Sequence, residues 1–329
     1  MTIILSILAL LALLVLVAFL FTLWTARKVE ALLPPRGRFV DVPGARLHVR
    51  EFDGGADAPP LLLVHGLAGQ LDHYTYGVTE RLAGRYRIIA VDRAGSGFST
   101  RAPGTPADLD TQAAMLAALI DQLKLERPLV VGHSLGGALS TMAARRRPDL
   151  VRCVVMLDSP VVAGWRALVW RLAKLAGWGA RLSPARFSYK RREHWPDRDA
   201  AYRHFHAKSM FQAWAPGALD DYMEHGLAPH PDGVTLRFRR DVESAIYQTL
   251  PHHMGGVIRA PFPVPVGFIA GTESEEMRQA GLAFTRKLVG EHLAMIEGGH
   301  LYPLEKPAET AQLVHAMIKR LLGGAKANG

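Results

Sequence analysis

The chain has 329 residues, of which 49% are hydrophobic and 21% are charged. This composition excludes an intrinsically disordered chain, which combines low hydrophobicity with high charge. The single cysteine, Cys153, excludes an internal disulfide framework and argues against a zinc cluster of cysteines and histidines. The formal net charge of +9 is compatible with nucleic acid, anionic lipid or an acidic substrate, and it does not choose among them.

Residues 3–24 form an uncharged apolar stretch without proline, in which only Ser6 and Thr22 are polar. A helix of this length spans about 33 Å, enough for a hydrocarbon core of about 30 Å. A cleaved signal peptide is the alternative, but the stretch is longer than a signal's apolar region and has no basic start or clear cleavage site. We therefore predict a single-pass membrane anchor over residues 1–24, in the inner membrane if the protein is bacterial.

The basic residues that flank the predicted anchor all follow it in the chain. They are Arg27, Lys28, Arg36 and Arg38. The positive-inside rule then places the domain that follows the anchor on the cytoplasmic side, but long domains can cross a membrane despite such charges, so the orientation stays open. Pro34 and Pro35 cannot continue a helix, and residues 25–37 are therefore predicted to form a linker.

The rest of the chain alternates short apolar runs with helical periodicity. This alternation predicts an α/β fold with a doubly wound, mostly parallel sheet. Strands are predicted over Arg38–Val42, Arg46–Phe52, Leu61–Val64, Arg87–Val91, Leu129–Val131, Val151–Leu157, Val266–Ala270 and Ala294–Ile296. Helices are predicted over Leu109–Leu123, Ala138–Arg146 and Ala311–Leu322.

A stretch of about 100 residues, 161–261, interrupts this alternation and contains helix-like patterns such as Trp165–Trp178. It is predicted to be an inserted helical cap, because a structureless loop of this length is uncommon in a compact domain. The α/β core would then comprise residues 38–160 and 262–322, with residues 323–329 as a tail.

The motif Gly132-His133-Ser134-Leu135-Gly136 follows one predicted strand and precedes a predicted helix. In this context G-x-S-x-G is typical of a nucleophile elbow, a tight turn that exposes the serine hydroxyl at the edge of the sheet. The motif alone is weak evidence, because glycine and serine are common in loops. Ser134 is the predicted nucleophile, and the backbone N–H of Leu135 is a predicted oxyanion donor.

Two further motifs supply partners for the serine. His65-Gly66-Leu67 follows another strand, and the N–H of Leu67 is predicted to complete the oxyanion hole, unless the motif is only a turn. His300, in Gly298-Gly299-His300, comes after the last strand and before the last helix, where a general base that takes the serine proton is expected.

Four motifs, His65-Gly66, Asp92–Ser99, Gly132–Gly137 and Gly298–His300, resemble the α/β-hydrolase fold family in order and spacing. The resemblance covers about residues 38–322 and is weakest in the cap. With the anchor, the chain is also similar to membrane-bound bacterial esterases and (lyso)phospholipases, a less specific likeness. Relatives that cleave haloalkanes or epoxides use an aspartate nucleophile, so Ser134 implies acyl transfer.

The triad acid is where the sequence departs from the family pattern. The resemblance places an aspartate three residues after Gly271, where this chain has Ser274 between Glu273 and Glu275. A second solution within the family places the acid after the strand that follows the nucleophile helix, where Asp158 lies. The acid is therefore Asp158, Glu273 or Glu275, and the sequence leaves the choice open.

Together these features predict a membrane-anchored serine hydrolase of carboxylic esters, with lipid-derived esters such as lysophospholipids or acylglycerols as substrates. A hydrolase of small soluble esters or of C–C bonds, and a catalytically silent binding protein, are the alternatives. No cofactor or metal is expected, since His252-His253 has no carboxylate or cysteine company. No nucleic acid partner is expected either, because no binding motif accompanies the charge, and the oligomeric state stays open.

The segment Trp165–Trp178 has two readings that the sequence leaves open. Its apolar residues lie at helical spacing with basic residues between them. Either this is a cap helix with its apolar stripe on the active site, or it is an amphipathic lid that rests on anionic lipid headgroups.

Overall fold

The computed structural model describes residues 35–324, except 56, 68, 73, 74, 184, 239 and 260, together with eight scattered positions between residues 6 and 24. The predicted anchor, the predicted linker up to residue 34 and residues 325–329 of the predicted tail thus lie mostly outside the described residues. Among the residues that are described, no helix is both long and apolar enough to cross a membrane.

A mostly parallel sheet forms the centre of residues 37–324. Its strands are β1 (Arg38–Val42), β2 (Ala45–Phe52), β3 (Pro60–Val64), β4 (Arg87–Val91), β5 (Thr100–Arg101), β6 (Leu129–His133), β7 (Cys153–Leu157), β11 (Val266–Gly271) and β12 (Leu293–Ile296). They lie in the order β1-β2-β4-β3-β6-β7-β11-β12, and β5 pairs with β2. The pairs that involve β2 are antiparallel and the others are parallel. The predicted strands are all present, with ends shifted by no more than two residues.

Helices that flank the sheet pack on both of its faces. They are α1 (Glu80–Leu82), which follows a π-helical turn over Thr75–Thr79, then α2 (Leu109–Gln122), α3 (Leu135–Arg146), α12 (Glu275–Ala280), α13 (Ala283–Val289), α14 (Tyr302–Glu305) and α15 (Pro307–Gly324). Alternate residues of β3 serve the two layers: Leu62 and Val64 join the core that α2 and α3 cover, and Leu61 and Leu63 join the core beneath α15. This two-sided burial accounts for the unbroken apolar runs in the strand sequences.

Two helices begin earlier than predicted, for local reasons. Helix α3 begins at Leu135 rather than Ala138, because the elbow at Ser134 leads directly into it. Helix α15 begins at Pro307 rather than Ala311, and proline is well suited to a first helical position, where its missing N–H costs no hydrogen bond.

The predicted cap region, residues 161–261, contains helices and also a small antiparallel sheet. The helices are α4 (Trp165–Leu175), α5 (Gly179–Leu182), α6 (Ala185–Ser188), α7 (Arg198–His206), α8 (Ser209–Gln212), α9 (Ala218–Gly226), α10 (Arg240–Thr249) and α11 (Met254–Val257). The strands β8 (His194–Trp195), β9 (Leu227–His230) and β10 (Gly233–Leu236) lie in the order β8-β10-β9. The helical cap is thus predicted correctly in its helices, and the small sheet is an addition that the sequence analysis does not predict.

Both departures in this region have identifiable causes. The predicted helix Trp165–Trp178 ends at Leu175, because Gly177 adopts a positive φ of 73° that stops it. The β9–β10 hairpin turns at Pro231-Asp232, residues typical of turns, and Gly233 leaves room for the carbonyl of Trp195. Buried aromatic side chains join this sheet to α7, α8 and α9 in a separate core, of which the members include Trp195, Phe205, Phe211, Trp214 and Tyr222.

Candidate active site

Ser134 lies at a sharp turn between β6 and α3. Its φ of 51° and ψ of −122° are unusual for a residue with a side chain, and its N–H donates to the carbonyl of Leu157 at 2.8 Å. Glycine is required nearby, since a Cβ on Gly136 would lie 2.1 Å from the carbonyl oxygen of Val64, and one on Gly132 would lie 2.4 Å from the backbone of Gly136. These contacts explain why the predicted elbow needs its glycines.

His300 joins the serine to an acid. Its Nε2 lies 3.0 Å from Oγ of Ser134, and its Nδ1 lies 2.6 Å from Oδ2 of Asp158, which is fully buried. Because a carboxylate can only accept, Nδ1 carries the proton, and Nε2 of the neutral ring is free to accept the serine hydroxyl proton. The arrangement has the geometry of a serine–histidine–aspartate triad.

The structure brings one of the three candidate acids to His300. Asp158 follows β7, with a positive φ of 42°, and its Oδ1 accepts the N–H of Gly271 at 2.9 Å. Glu275 is exposed and bonded to Arg278, whereas Glu273 is exposed and donates its backbone N–H to Gly298. Asp158 therefore has the position of the triad acid, and neither glutamate contacts the histidine.

Two further side chains contact the acid or the base, although the sequence analysis assigns neither of them a role. The Ser274 hydroxyl donates to Oδ2 of Asp158 at 2.5 Å, and Oε2 of Glu276 lies 3.5 Å from Nδ1 of His300. Ser274 also caps α12, accepting the N–H of Met277 at 3.2 Å. Its place at the family's usual acid position was the available signal.

Asp158, Glu276 and His300 form a group of side chains that could also hold a metal ion. Each offers a ligand atom, and these atoms lie within 4.8 Å of one another. In the structure, however, the histidine nitrogen in this group is hydrogen-bonded to Asp158, so the cluster is explained by the triad.

His133 holds His300 from the other side. Its Nε2 lies 2.8 Å from the carbonyl oxygen of His300, so Nε2 carries the proton that is donated. Burial, together with the neighbouring His300, lowers the pKa of His133 to about 3, and the ring is neutral at ordinary pH. The residue before the nucleophile thus fixes the backbone of the base, a role that the sequence did not reveal.

The loop after β3 lies against the nucleophile. A Cβ on Gly66 would lie 3.1 Å from Cβ of Ser134, so the residue before Leu67 lies against the nucleophile. The predicted donors Leu67 and Leu135 directly follow Gly66 and Ser134, the two residues that meet at the elbow. Leu135 is also the first residue of α3, where the helix dipole favours negative charge. Their role as an oxyanion hole stays a prediction.

Buried Arg93 braces this loop. Its Nε donates to the carbonyl of His65 at 3.1 Å and its guanidinium donates to the carbonyl of Gly66 at 3.0 Å. The backbone N–H of Arg93 donates to Nε2 of His65 at 3.0 Å. The Asp92–Ser99 motif therefore positions the predicted oxyanion loop, and the available signal was an arginine two residues after β4, the strand next to β3.

A cavity of about 200 Å³ adjoins the triad. His65, Gly66 and Leu67 line it together with His133 and Leu301, which are the sequence neighbours of Ser134 and His300. Its other walls come from the cap and α14 and are largely aromatic or aliphatic, with two cations: Arg191, Phe205, Lys208, Met210, Phe211, Trp214, Tyr222, Pro303 and Leu304. The cavity can therefore take an apolar group close to the serine.

The two cations of the cavity differ in their partners. Arg191 forms an ion pair of 2.8 Å with the buried Glu243. Lys208 has its Nζ 5.0 Å from the ring of Phe205 and, within the described part of the chain, pairs with no carboxylate. Burial and the nearby Arg191 lower the pKa of Lys208. Because Arg191 is paired with a carboxylate and, among the described residues, Lys208 is not, the positive charge at this wall of the cavity comes from Lys208.

Comparison with known proteins agrees with the fold. The model of the α/β-hydrolase fold family matches residues 59–307. The chain belongs to that family. Among solved structures, E-2-(acetamidomethylene)succinate hydrolase is 25% identical, with a TM-score of 0.72 over 86% of this chain and 98% of that one. An esterase from Thermogutta terrifontis, at 19% identity and a TM-score of 0.62 over 87% of this chain and 99% of that one, shares the fold.

Curated relatives match a shorter part. The 2-(acetamidomethylene)succinate hydrolase of Mesorhizobium japonicum is 38% identical over 121 residues, 37% of this chain and 42% of the relative. A 2-hydroxy-6-oxo-2,4-heptadienoate hydrolase of Pseudomonas putida is 34% identical over 125 residues, 37% of this chain and 44% of the relative. An uncharacterised protein of Mycobacterium tuberculosis is 33% identical over 149 residues, 45% of this chain and 42% of the relative. The chain thus spans less than half the length of these relatives.

Proposed function

We propose that the protein is a serine hydrolase that cleaves carboxylic esters through an acyl-enzyme on Ser134. The observation that carries this proposal is the unbroken hydrogen-bonded series from the Ser134 hydroxyl through His300 to the buried Asp158. A neutral imidazole with its proton on Nδ1 is the form that a general base needs. The strained backbone of Ser134 adds support, because such strain is common at functional sites.

The reaction follows from the positions of these groups. Oγ of Ser134 bonds to the ester carbonyl carbon as Nε2 of His300 takes its proton, and the negative charge on the carbonyl oxygen is met by the N–H groups of Leu67 and Leu135. The carbon–alkoxy bond then breaks, and His300 returns the proton to the alcohol. Water, deprotonated by His300, releases the acid and restores the serine.

Labelling and turnover test this proposal together. The full chain is treated with a fluorophosphonate probe and assayed on p-nitrophenyl esters of increasing acyl length, beside the variants Ser134→Ala and Ser209→Ala. We expect labelling and turnover in the wild type and in the exposed-serine control, and neither in Ser134→Ala. If the wild type is not labelled, the protein is a catalytically silent member of the fold. Labelling without ester turnover would instead favour C–C bond hydrolysis.

The apolar walls of the cavity support a substrate with an apolar acyl chain, and a lipid-derived ester is our first candidate. The chain-length series tests it, since an optimum at two to four carbons would contradict it. A second candidate is a small substrate that bears a carboxylate. Lys208 and Arg191 at the cavity favour it, and two of the relatives are named for a succinate and a dienoate.

We also propose that residues 3–24 anchor the protein as a single span. The support is their uncharged, apolar sequence and its length. After membranes are washed with alkaline carbonate, we expect the protein to stay in the pellet and its N-terminal peptide to be detected intact. Release into the supernatant, or a mature protein that lacks these residues, would contradict the anchor.

A further inference from the structure

Helix α4 turns an apolar face to solvent. Six large apolar side chains of this helix and the turn after it are 52–75% exposed: Trp165, Leu168, Val169, Leu172, Leu175 and Trp178. The helix buries mainly its small residues, Ala167 and Ala173. The interpretation that its apolar stripe covers the active site is therefore wrong, because the stripe faces outward. We call these six residues the α4 face.

An exposed face of this kind needs an explanation. Single exposed apolar residues are common on protein surfaces, but a contiguous group that includes two tryptophans marks an interaction site. At helical spacing, the four residues Trp165, Leu168, Val169 and Leu172 share one side of the helix, and Leu175 continues it by one turn. This is the pattern of a helix that lies in a membrane interface.

The charge of the surrounding segment selects the partner. Between Asp158 and Glu193 the chain has eight lysines or arginines and no acidic residue. Four of the eight lie on α4 or just after it, at Arg166, Arg171, Lys174 and Arg181.

Two of these four cations are hydrogen-bonded to backbone carbonyls. Arg166 donates to the carbonyl of Ala280, and Lys174 donates to the carbonyl of Leu250. Within residues 35–324, as far as they are described, none of the four forms an ion pair with a carboxylate. Unneutralised cations beside aromatic and aliphatic side chains fit an anionic lipid surface, since a buried protein interface disfavours uncompensated like charges.

The face also lies near the proposed site. Helix α4 begins seven residues after Asp158, and Arg166 holds the end of α12, the helix that Ser274 caps beside the triad. A surface that engages α4 is therefore close to the edge of the sheet from which the triad projects.

We propose that the α4 face, with its flanking cations, docks on the surface of a membrane that contains anionic lipid. Its apolar side chains enter the region of the headgroups, and Arg171 and Arg181 contact the lipid phosphates. This docking is separate from any anchor in residues 3–24 and does not depend on the proposed catalysis.

A fluorescent label on the face tests the proposal in the full-length chain. The native Cys153 is fully buried and burial raises the pKa of its thiol to about 12, so an added cysteine is labelled selectively. Leu172→Cys carries an environment-sensitive dye such as nitrobenzoxadiazole. Glu126→Cys, an exposed position before β6 and thus at the opposite edge of the sheet, is the matched control.

The labelled chains are reconstituted in vesicles of phosphatidylcholine, with and without phosphatidylglycerol. We expect a blue shift of the Leu172→Cys label that is largest with phosphatidylglycerol and declines with salt, and an unchanged control label. Adding Arg171→Glu and Arg181→Glu should lower the docked population about tenfold. A label that stays water-exposed in both lipids would overturn the proposal.

Other occupants of the face give different results, and each of them overturns membrane docking. A shift that appears without lipid and grows with protein concentration indicates a second copy of the chain. A shift without lipid that is independent of concentration, and that is lost when residues 1–34 are deleted, indicates cover by the chain's own N-terminal segment.

Discussion

The Ser274 hydroxyl and the His300 imidazole both donate to the same oxygen, Oδ2 of Asp158, at 2.5 Å and 2.6 Å. Two adjacent strands contribute this arrangement, because Asp158 follows β7 and Ser274 follows the neighbouring β11. The second carboxylate oxygen is held by the N–H of Gly271. A fully buried carboxylate is thereby satisfied on both oxygens before it acts on the histidine.

Replacing the acid should show that it works through the histidine. Asp158→Asn keeps the shape of the side chain but favours the wrong tautomer of His300, and we expect kcat/KM for esters to fall about a thousandfold or more. Glu275→Gln, at an exposed glutamate on α12, is the control and should stay within about twofold. Full activity in Asp158→Asn would transfer the role to Glu276.

The acid should also be movable to the position where the family usually has it. In the double variant Asp158→Asn, Ser274→Asp, the new carboxylate begins where a hydroxyl already reaches the site, and we expect at least about tenfold more activity than in Asp158→Asn alone. The double variant Asp158→Asn, Ser274→Ala should recover nothing. Equal rates in the two double variants would refute the idea.

Ser274 should contribute to stability as well. Ser274→Ala removes an N-cap and a hydrogen bond to a buried charge, and we expect the free energy of unfolding to fall by about 2 kcal/mol. Ser274→Thr keeps a hydroxyl and should lose less than half of that. Urea denaturation of both variants measures the difference, and equal losses would mean that packing, not the hydroxyl, matters.

The buried, neutral His133 should make the folded protein less stable in acid. Its pKa is lowered to about 3 in the folded protein, so the unfolded chain binds its proton more readily. The contribution of neutral His133 to the free energy of unfolding is fully present above about pH 6.5, the usual pKa of histidine in an unfolded chain. It declines by about 1.4 kcal/mol per pH unit as the pH falls toward 3. His133→Asn keeps an N–H donor without this titration. If urea midpoints of both proteins decline in parallel between pH 6.5 and 4, the prediction fails.

The cations of the cavity should influence the choice of substrate. Lys208→Met removes a positive charge that no carboxylate neutralises in the described structure, and we expect kcat/KM for esters that end in a carboxylate to fall about tenfold against neutral esters of equal length. Lys190→Met makes the same change at an exposed position nearby and should alter the ratio little. An unchanged ratio in Lys208→Met would argue against the carboxylate-bearing substrate.

The sheet and the elbow could be predicted because their causes are local. Buried runs such as Leu61–Val64 are apolar on both faces, and the glycines around Ser134 are demanded by backbone contacts within a few ångströms. His300 followed from its place between the last strand and the last helix. In each case the signal is within a few residues of the feature that it predicts.

What the sequence left open depends on contacts between distant segments. Asp158 and Glu275 were both reasonable acids until the register of β7 beside β11 brought Asp158 to His300. The cap sheet escaped prediction because β8 has only two residues, and its pairing with β10 joins positions about 40 residues apart. The direction of the apolar stripe of α4 likewise depends on which segments pack against the helix. Helical periodicity shows that one side is apolar, but it does not show whether that side is buried.

The shared oxygen at Asp158 has an evolutionary consequence. A lineage with a serine at position 274 already has a hydrogen bond between the ends of β7 and β11. One further substitution, of this serine by aspartate, would add a second carboxylate. The original acid could then be lost without a step through an inactive ancestor. A triad can in this way migrate between neighbouring strands while its nucleophile and base stay where they are.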